Sequence, residues 1–124
     1  MRDVIVAADA TATVIEPWDL VGGLCAELYP EGTAQTDMFR DDDHVKRAFS
    51  MCVDAAAAAD VVVSYLPEAS MGSAVEIYAA KSAGRKILVV APGSMAQNWT
   101  VRSYADCTFA SIQEVGIWLK SNIG

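Results

Sequence analysis

Basic charge is scarce in this chain. Of its 124 residues, nine are Lys or Arg and sixteen are Asp or Glu, giving a net charge of −7 and a pI near 4.4. An acidic surface repels a phosphate polyanion, so long nucleic acid is not an expected partner. Histidine is nearly missing, with His44 alone. The three cysteines, Cys25, Cys52 and Cys107, form no Cys-x-x-Cys pair. An odd number without paired spacing argues against a disulfide framework and against a zinc site. Three reduced thiols in a cytoplasmic protein are the expectation. No apolar run approaches the roughly 20 residues of a membrane span. The run from Val4 to Ala8 is too short for a secretory signal and is bracketed by Asp3 and Asp9. No metal, organic cofactor or membrane is implied.

What is present is apolar. Hydrophobic residues make up 53% and charged residues only 20%, the balance of a packed globule rather than a disordered chain. The length suits one domain over residues 1–124. The charge is unevenly placed. Residues 1–62 hold four basic and twelve acidic side chains, a net −8. Residues 63–124 hold five and four, a net +1.

The pattern along the chain alternates. Val4–Ala8 is a short branched run that reads as a buried strand. Pro17 opens a helix to about Leu28, stopped by Pro30 and Gly32. Thr33–Asp37 is a weaker strand candidate. Asp41, Asp42 and Asp43 start a helix to about Ala59, where its dipole favours acids. Val61–Leu66 is the clearest strand, closed by Pro67. Ser70 caps a helix from Met71 to Ala83, and Gly84 stops it. Lys86–Val90 is a strand, 95–105 a short helix or loop, Thr108–Ala110 a last strand and Ile112–Lys120 a last helix. This order predicts an α/β, Rossmann-like chain. The expected form is a flavodoxin-like three-layer sandwich with a five-stranded parallel sheet in the order 2-1-3-4-5. Ligands in such sheets bind outside the carboxyl ends of the strands, at the switch point between strands 1 and 3. The segments after Ala8, Leu66 and Val90 would line that site.

The segment after Leu66 carries the most chemistry. Ser70, Met71, Gly72 and Ser73 form a helix start, whose free amides and dipole attract an anion. Gly72, Ser73 and Glu76 share one face, since residues three and four apart are neighbours on a helix. One carboxylate therefore stands among small side chains beside an anion-binding helix end.

The run Ala59-Asp60-Val61-Val62-Val63, then Ser70-Met71-Gly72-Ser73-Ala74-Val75-Glu76-Ile77, then Ala80 and Gly84-Arg85-Lys86-Ile87-Leu88, resembles the nucleoside 2-deoxyribosyltransferase superfamily. That superfamily includes the 2'-deoxynucleoside 5'-monophosphate N-glycosidases. The resemblance spans roughly residues 50–92. It implies that Glu76 is a nucleophile attacking C1' of the sugar. A covalent glycosyl ester would form as the base leaves, and water or a second base would resolve it. Ser70 stands where the phosphate-dependent hydrolases have a serine, which implies a 5'-phosphorylated substrate. Asn98 resembles a family asparagine that reaches into the neighbouring subunit's site, which implies a homodimer. A loop asparagine capping a helix is the alternative. Three tryptophans, Trp18, Trp99 and Trp118, in so short a chain also suggest a buried interface, and a homodimer or larger homo-oligomer is the expectation.

Two departures stand out. The family's aspartate eight residues before the position of Asp60, which protonates the leaving base, is Cys52 here. On an ideal helix Ala48, Phe49, Cys52 and Ala56 face inward, and Asp54 points to solvent. Asp60, at the start of its strand, lies at the wrong edge of the sheet. Asp9, at the carboxyl end of the first strand, is the replacement acid if its pKa is raised. The alternative is a turn cap with Thr11. Asp37, Asp43 and His44 are further candidates by position. The expected function is an N-glycosidase acting on a nucleoside or nucleoside 5'-monophosphate. Its rivals are a base-exchanging transferase and a nucleotide-binding module that has lost its acid.

Overall fold

A computed structural model describes residues 1–122. It has six α-helices and three strands, with helix and strand alternating only from α3 onward: α1 (Arg2–Ala8), α2 (Pro17–Leu28), α3 (Asp42–Ala58), β1 (Val61–Tyr65), α4 (Met71–Ser82), β2 (Lys86–Val90), α5 (Trp99–Tyr104), β3 (Cys107–Phe109) and α6 (Ile112–Asn122). Short 3-10 turns cover Gln35–Asp37 and Gly93–Gln97. The three strands are parallel in the order β1-β2-β3. Val61 pairs with Lys86 at one end of β1 and Tyr65 with Val90 at the other, and Leu88 to Val90 pair with Cys107 to Phe109.

Strand β2 shows why this sheet is covered on both sides. Its residues alternate in direction, as the pleat requires. Ile87 and Val89 join Leu66, Ile77, Ala80 and Val101 in one core. Leu88 and Val90 join Val115 and Leu119 in the other. Helices α4 and α5, with α3 beside α4, cover the first face, and α6 covers the second. Gly84 has φ +77°, a left-handed turn that glycine adopts without strain and that ends α4. Asp106 accepts the N–H of Ile87 at 2.7 Å and binds Lys81 at 3.7 Å, tying the start of β2 to the loop before β3.

The five-stranded sheet in the order 2-1-3-4-5 is not what forms. The three later strands are present, adjacent and in their expected sequence, but the two earlier ones are absent. Val4–Ala8 lies in helix α1. A short apolar run does not distinguish a buried strand from a helix by periodicity. Here the helical period decides, because Ile5 and Ala8, one turn apart, both pack on the α6 face of the sheet. Gly116 makes room for α1: a Cβ there would stand 2.7 Å from Val4 Cγ1. Arg2 anchors the start of α1 to Asp19 at 2.9 Å and to Glu16 at 3.4 Å, at the start of α2. Thr33–Asp37 is loop and 3-10 turn, without a strand partner. With no strand before β1, the expected switch point does not exist. The carboxyl ends of β1, β2 and β3 still share one edge of the sheet.

Candidate functional site

Helix α4 leaves that carboxyl edge. Ser70 is its N-cap, extended at φ −137°, and its hydroxyl oxygen accepts the N–H of Ser73 at 3.2 Å. That bond satisfies one of the free first-turn donors, and the amides of Met71 and Gly72 remain at the helix end. No acid occupies the first turn, so its positive dipole end is left uncompensated. Ser70 is exposed, and Met71 is 90% exposed.

One turn further on, α4 meets α3. A Cβ on Gly72 would lie 3.5 Å from Phe49 Cε1, so Phe49 rests over the start of α4. Glu76 follows on the same flank and is half-buried. Burial alone raises its carboxyl above the ordinary value, because removal from water disfavours the charged form. Across the gap stands Cys52, buried on α3. Its thiol is raised first by burial and second by the negative charge of Glu76. Two residues 24 positions apart in sequence are thus close enough for the charge of one to act on the other.

Beside this pair lies a groove of about 280 Å³ with an apolar lining. Helix α2 supplies Trp18 and Val21, and the loop before α3 supplies Phe39. Val45, Ala48, Phe49 and Cys52 come from α3. Phe49 is 39% exposed and Trp18 82% exposed, so the face of α3 expected to be fully inward is partly open. Asp54 points to solvent, as its helix position predicts. Phe39 has φ +58°, a left-handed conformation costly for a bulky side chain. Its N–H donates to Tyr29 Oη at 2.9 Å, and Tyr29 Oη lies 2.8 Å from His44 Nδ1. His44 is therefore part of the scaffold behind Phe39. Sequence reasoning missed this groove. Its one local signal is the aromatic spacing of Trp18, Phe39 and Phe49, which means nothing until α2 and α3 are packed together.

The remaining candidates fall elsewhere. Asp9 does not end a strand. It is the C-cap of α1, partly exposed, and its Oδ1 accepts the Thr11 hydroxyl at 2.6 Å and the Thr11 N–H at 3.0 Å. The hydroxyl first and the N–H second hold its carboxyl below the ordinary value, the opposite of what a replacement acid needs. Asn98 caps α5, its Oδ1 accepting from Thr100 N at 2.9 Å and Val101 N at 3.4 Å. Asp37 and Asp43 are exposed. Asp60 lines a separate cleft of about 370 Å³ at the amino ends of the strands, with Lys81, Gly84, Arg85, Lys86 and Asp106. Several polar groups in that cleft already have partners: Lys81 pairs with Asp106, and Arg85 Nε donates to the Ala57 carbonyl at 2.7 Å. Among the described residues no three His, Cys, Asp or Glu side chains are grouped to hold a metal ion, and no helix is long and apolar enough to cross a membrane.

No family model, curated protein or solved structure matches the chain. The chemistry of the site therefore rests on its residues.

Proposed function

We propose that this protein is an N-glycosidase of the nucleoside 2-deoxyribosyltransferase type. It cleaves the base–sugar bond of a nucleoside or nucleoside 5'-monophosphate. One observation carries the reading. Glu76 is half-buried on α4, one turn past the capped helix start, and its charge acts on Cys52, which lines the aromatic groove. A partly desolvated carboxylate is a better nucleophile than a hydrated one. The helix amides at Met71 and Gly72, with the Ser70 hydroxyl, suit a 5'-phosphate. The groove suits a flat base. Glu76 attacks C1', the base leaves, and water releases the sugar from the ester. Base exchange needs the same first step with a second base replacing water.

A rival of another class is a nucleotide-binding module without catalysis. The thiol at position 52 favours it, since a raised thiol is a poor general acid near neutral pH. We also propose a cytoplasmic location, which its three free thiols support. We further propose a homodimer or larger homo-oligomer, which the exposed Trp99 supports. In that dimer only the amide nitrogen of Asn98 remains to reach a partner's site, because its oxygen caps α5.

The test is incubation with a panel of nucleosides and 5'-monophosphates, read by chromatography for free base. Trapped intermediates are then sought by mass spectrometry. Base release that vanishes in Glu76→Ala, with a glycosyl ester mapped to Glu76, supports the glycosidase. Release only when a second base is added identifies the transferase. Binding without release identifies the module.

A further inference from the structure

Retaining glycosyl chemistry ordinarily uses two carboxyl groups, one to attack and one to protonate the leaving group. The lining of this groove contains no carboxyl group, and Cys52, the lining residue whose thiol feels the charge of Glu76, carries none. An uncharged base would have to leave as an anion beside apolar walls, with no side-chain acid in the groove lining to protonate it. Both conditions oppose its departure. A base that already carries a positive charge escapes both. When its glycosidic bond breaks, the electron pair cancels the ring charge and a neutral molecule leaves.

The groove also suits a cation. Trp18, Phe39 and Phe49 bring aromatic rings to it, and ring faces attract cations. Among the described residues no cation forms an ion pair with Glu76, so its negative charge is free to act on a ligand in the adjoining groove. The wall is built rather than incidental. Phe39 is held in a left-handed conformation by Tyr29, whose ring it meets edge-on at 5.7 Å. Strain of this kind clusters at ligand clamps.

We propose that the base cleaved here is a cationic, N-alkylated heteroaromatic ring that stacks among Trp18, Phe39 and Phe49 and leaves neutral, without a proton from the protein. This rests on the reading of Glu76 as nucleophile. In the first step a Glu76 carboxylate oxygen bonds to C1' as the C1'–N bond breaks towards the ring. The positive ring and the negative carboxylate become a neutral base and a neutral ester. In the second step a water oxygen bonds to C1', the ester C1'–O bond returns its pair to Glu76, and the water proton passes to solvent.

The experiment compares N7-methylguanosine 5'-monophosphate with guanosine 5'-monophosphate, each as ribo and 2'-deoxy form, with uncatalysed release subtracted. The expected kcat/KM is about 100-fold or more higher on the methylated substrate, the size of the missing acid's contribution. Trp18→Leu, a change at the exposed rim, raises its KM about tenfold. Tryptophan fluorescence with N1-methylnicotinamide and nicotinamide, which have no sugar, reads the groove without chemistry. Saturable quenching by the cation, lost in Trp18→Leu and much weaker with nicotinamide, is expected. Equal Glu76-dependent cleavage of both nucleotides, or equal binding of both nicotinamides, overturns the proposal and leaves the glycosidase reading intact. Cleavage of neither nucleotide, with no ester on Glu76, removes both.

Discussion

Cys52 on α3 lies close enough to Glu76 on α4 for the Glu76 charge to raise its thiol, and burial shifts both groups towards their neutral forms. A second carboxyl at position 52 would restore the pair that retaining chemistry uses. A second carboxylate near Glu76 would repel its charge and push one of the two pKa values further up. Cys52→Asp should therefore raise kcat/KM on an uncharged base such as guanine by about 10²-fold. Cleavage of a cationic base should change little. Steady-state kinetics on both substrates decide it, with Cys52→Ser as the control for a small polar side chain. A Cys52→Asp enzyme that gains nothing on guanine would show that the thiol side is not where the leaving base needs its proton.

The same burial sets a pH signature for stability. Glu76 has a folded pKa above its unfolded value, so the native state binds the proton more tightly. Its effect favours folding below the unfolded pKa and is lost as pH rises through the folded one. Glu76→Gln keeps the shape and removes the titration. The variant should match the wild type in acid and be the more stable of the two near neutrality. Urea denaturation at pH 4 and pH 8 measures the difference. A variant less stable than wild type at pH 8 would mean that Glu76 has a favourable partner.

Asp9 predicts the reverse. Its pKa is lowered by Thr11, so its contribution is present above the unfolded value and fades as pH falls through the folded one. Asp9→Asn should lower the melting temperature slightly at pH 7, and the difference should vanish in strong acid. Base release should be unchanged. A large loss of kcat in Asp9→Asn would restore it to the site.

Ser70 separates capping from phosphate binding. Ser70→Ala removes the bond to the Ser73 N–H and should cost about 1 kcal/mol of stability. Ser70→Asp keeps a capping oxygen but sets a negative charge where the phosphate is proposed. It should raise KM for a 5'-monophosphate about tenfold and leave the nucleoside unchanged. Equal effects on both substrates would place the phosphate elsewhere.

How much of this was readable in advance depended on whether a feature is local. The strands at Val61, Lys86 and Cys107 are closed by turn residues or charge and carry their apolar side chains on both faces, so they declared themselves. Ser70 and Glu76 lie on one helix, and their spacing alone puts them near one end of it. Cys52 and Asp54 sorted correctly into inward and outward faces of α3. The N-terminal third did not sort. Five apolar residues from Val4 fit a strand or a helix equally, and the choice was made by packing on α6. Asp9 moved with them from the sheet edge to a helix cap. The aromatic groove was invisible because it depends on a left-handed Phe39, a conformation no composition rule assigns to phenylalanine.

The placement of α1 rests on Gly116, and it can be tested there. A methyl group at that position meets Val4 Cγ1 at 2.7 Å, and valine's branched side chain has little freedom to turn away. In an exposed helix, alanine for glycine would stabilise by roughly 0.5–1 kcal/mol. Against that, forcing a methyl into a packed contact costs about 1–3 kcal/mol. Gly116→Ala should therefore be net destabilising, by about 1 kcal/mol. Val4→Ala loses some apolar burial by itself but opens the space. The two changes together should then be less destabilising than their sum by about 1 kcal/mol, the coupling expected of residues in contact. A double-mutant cycle by chemical denaturation measures it. Strict additivity would mean that α1 does not pack on α6, and that the apolar run at Val4 lies somewhere else in the fold.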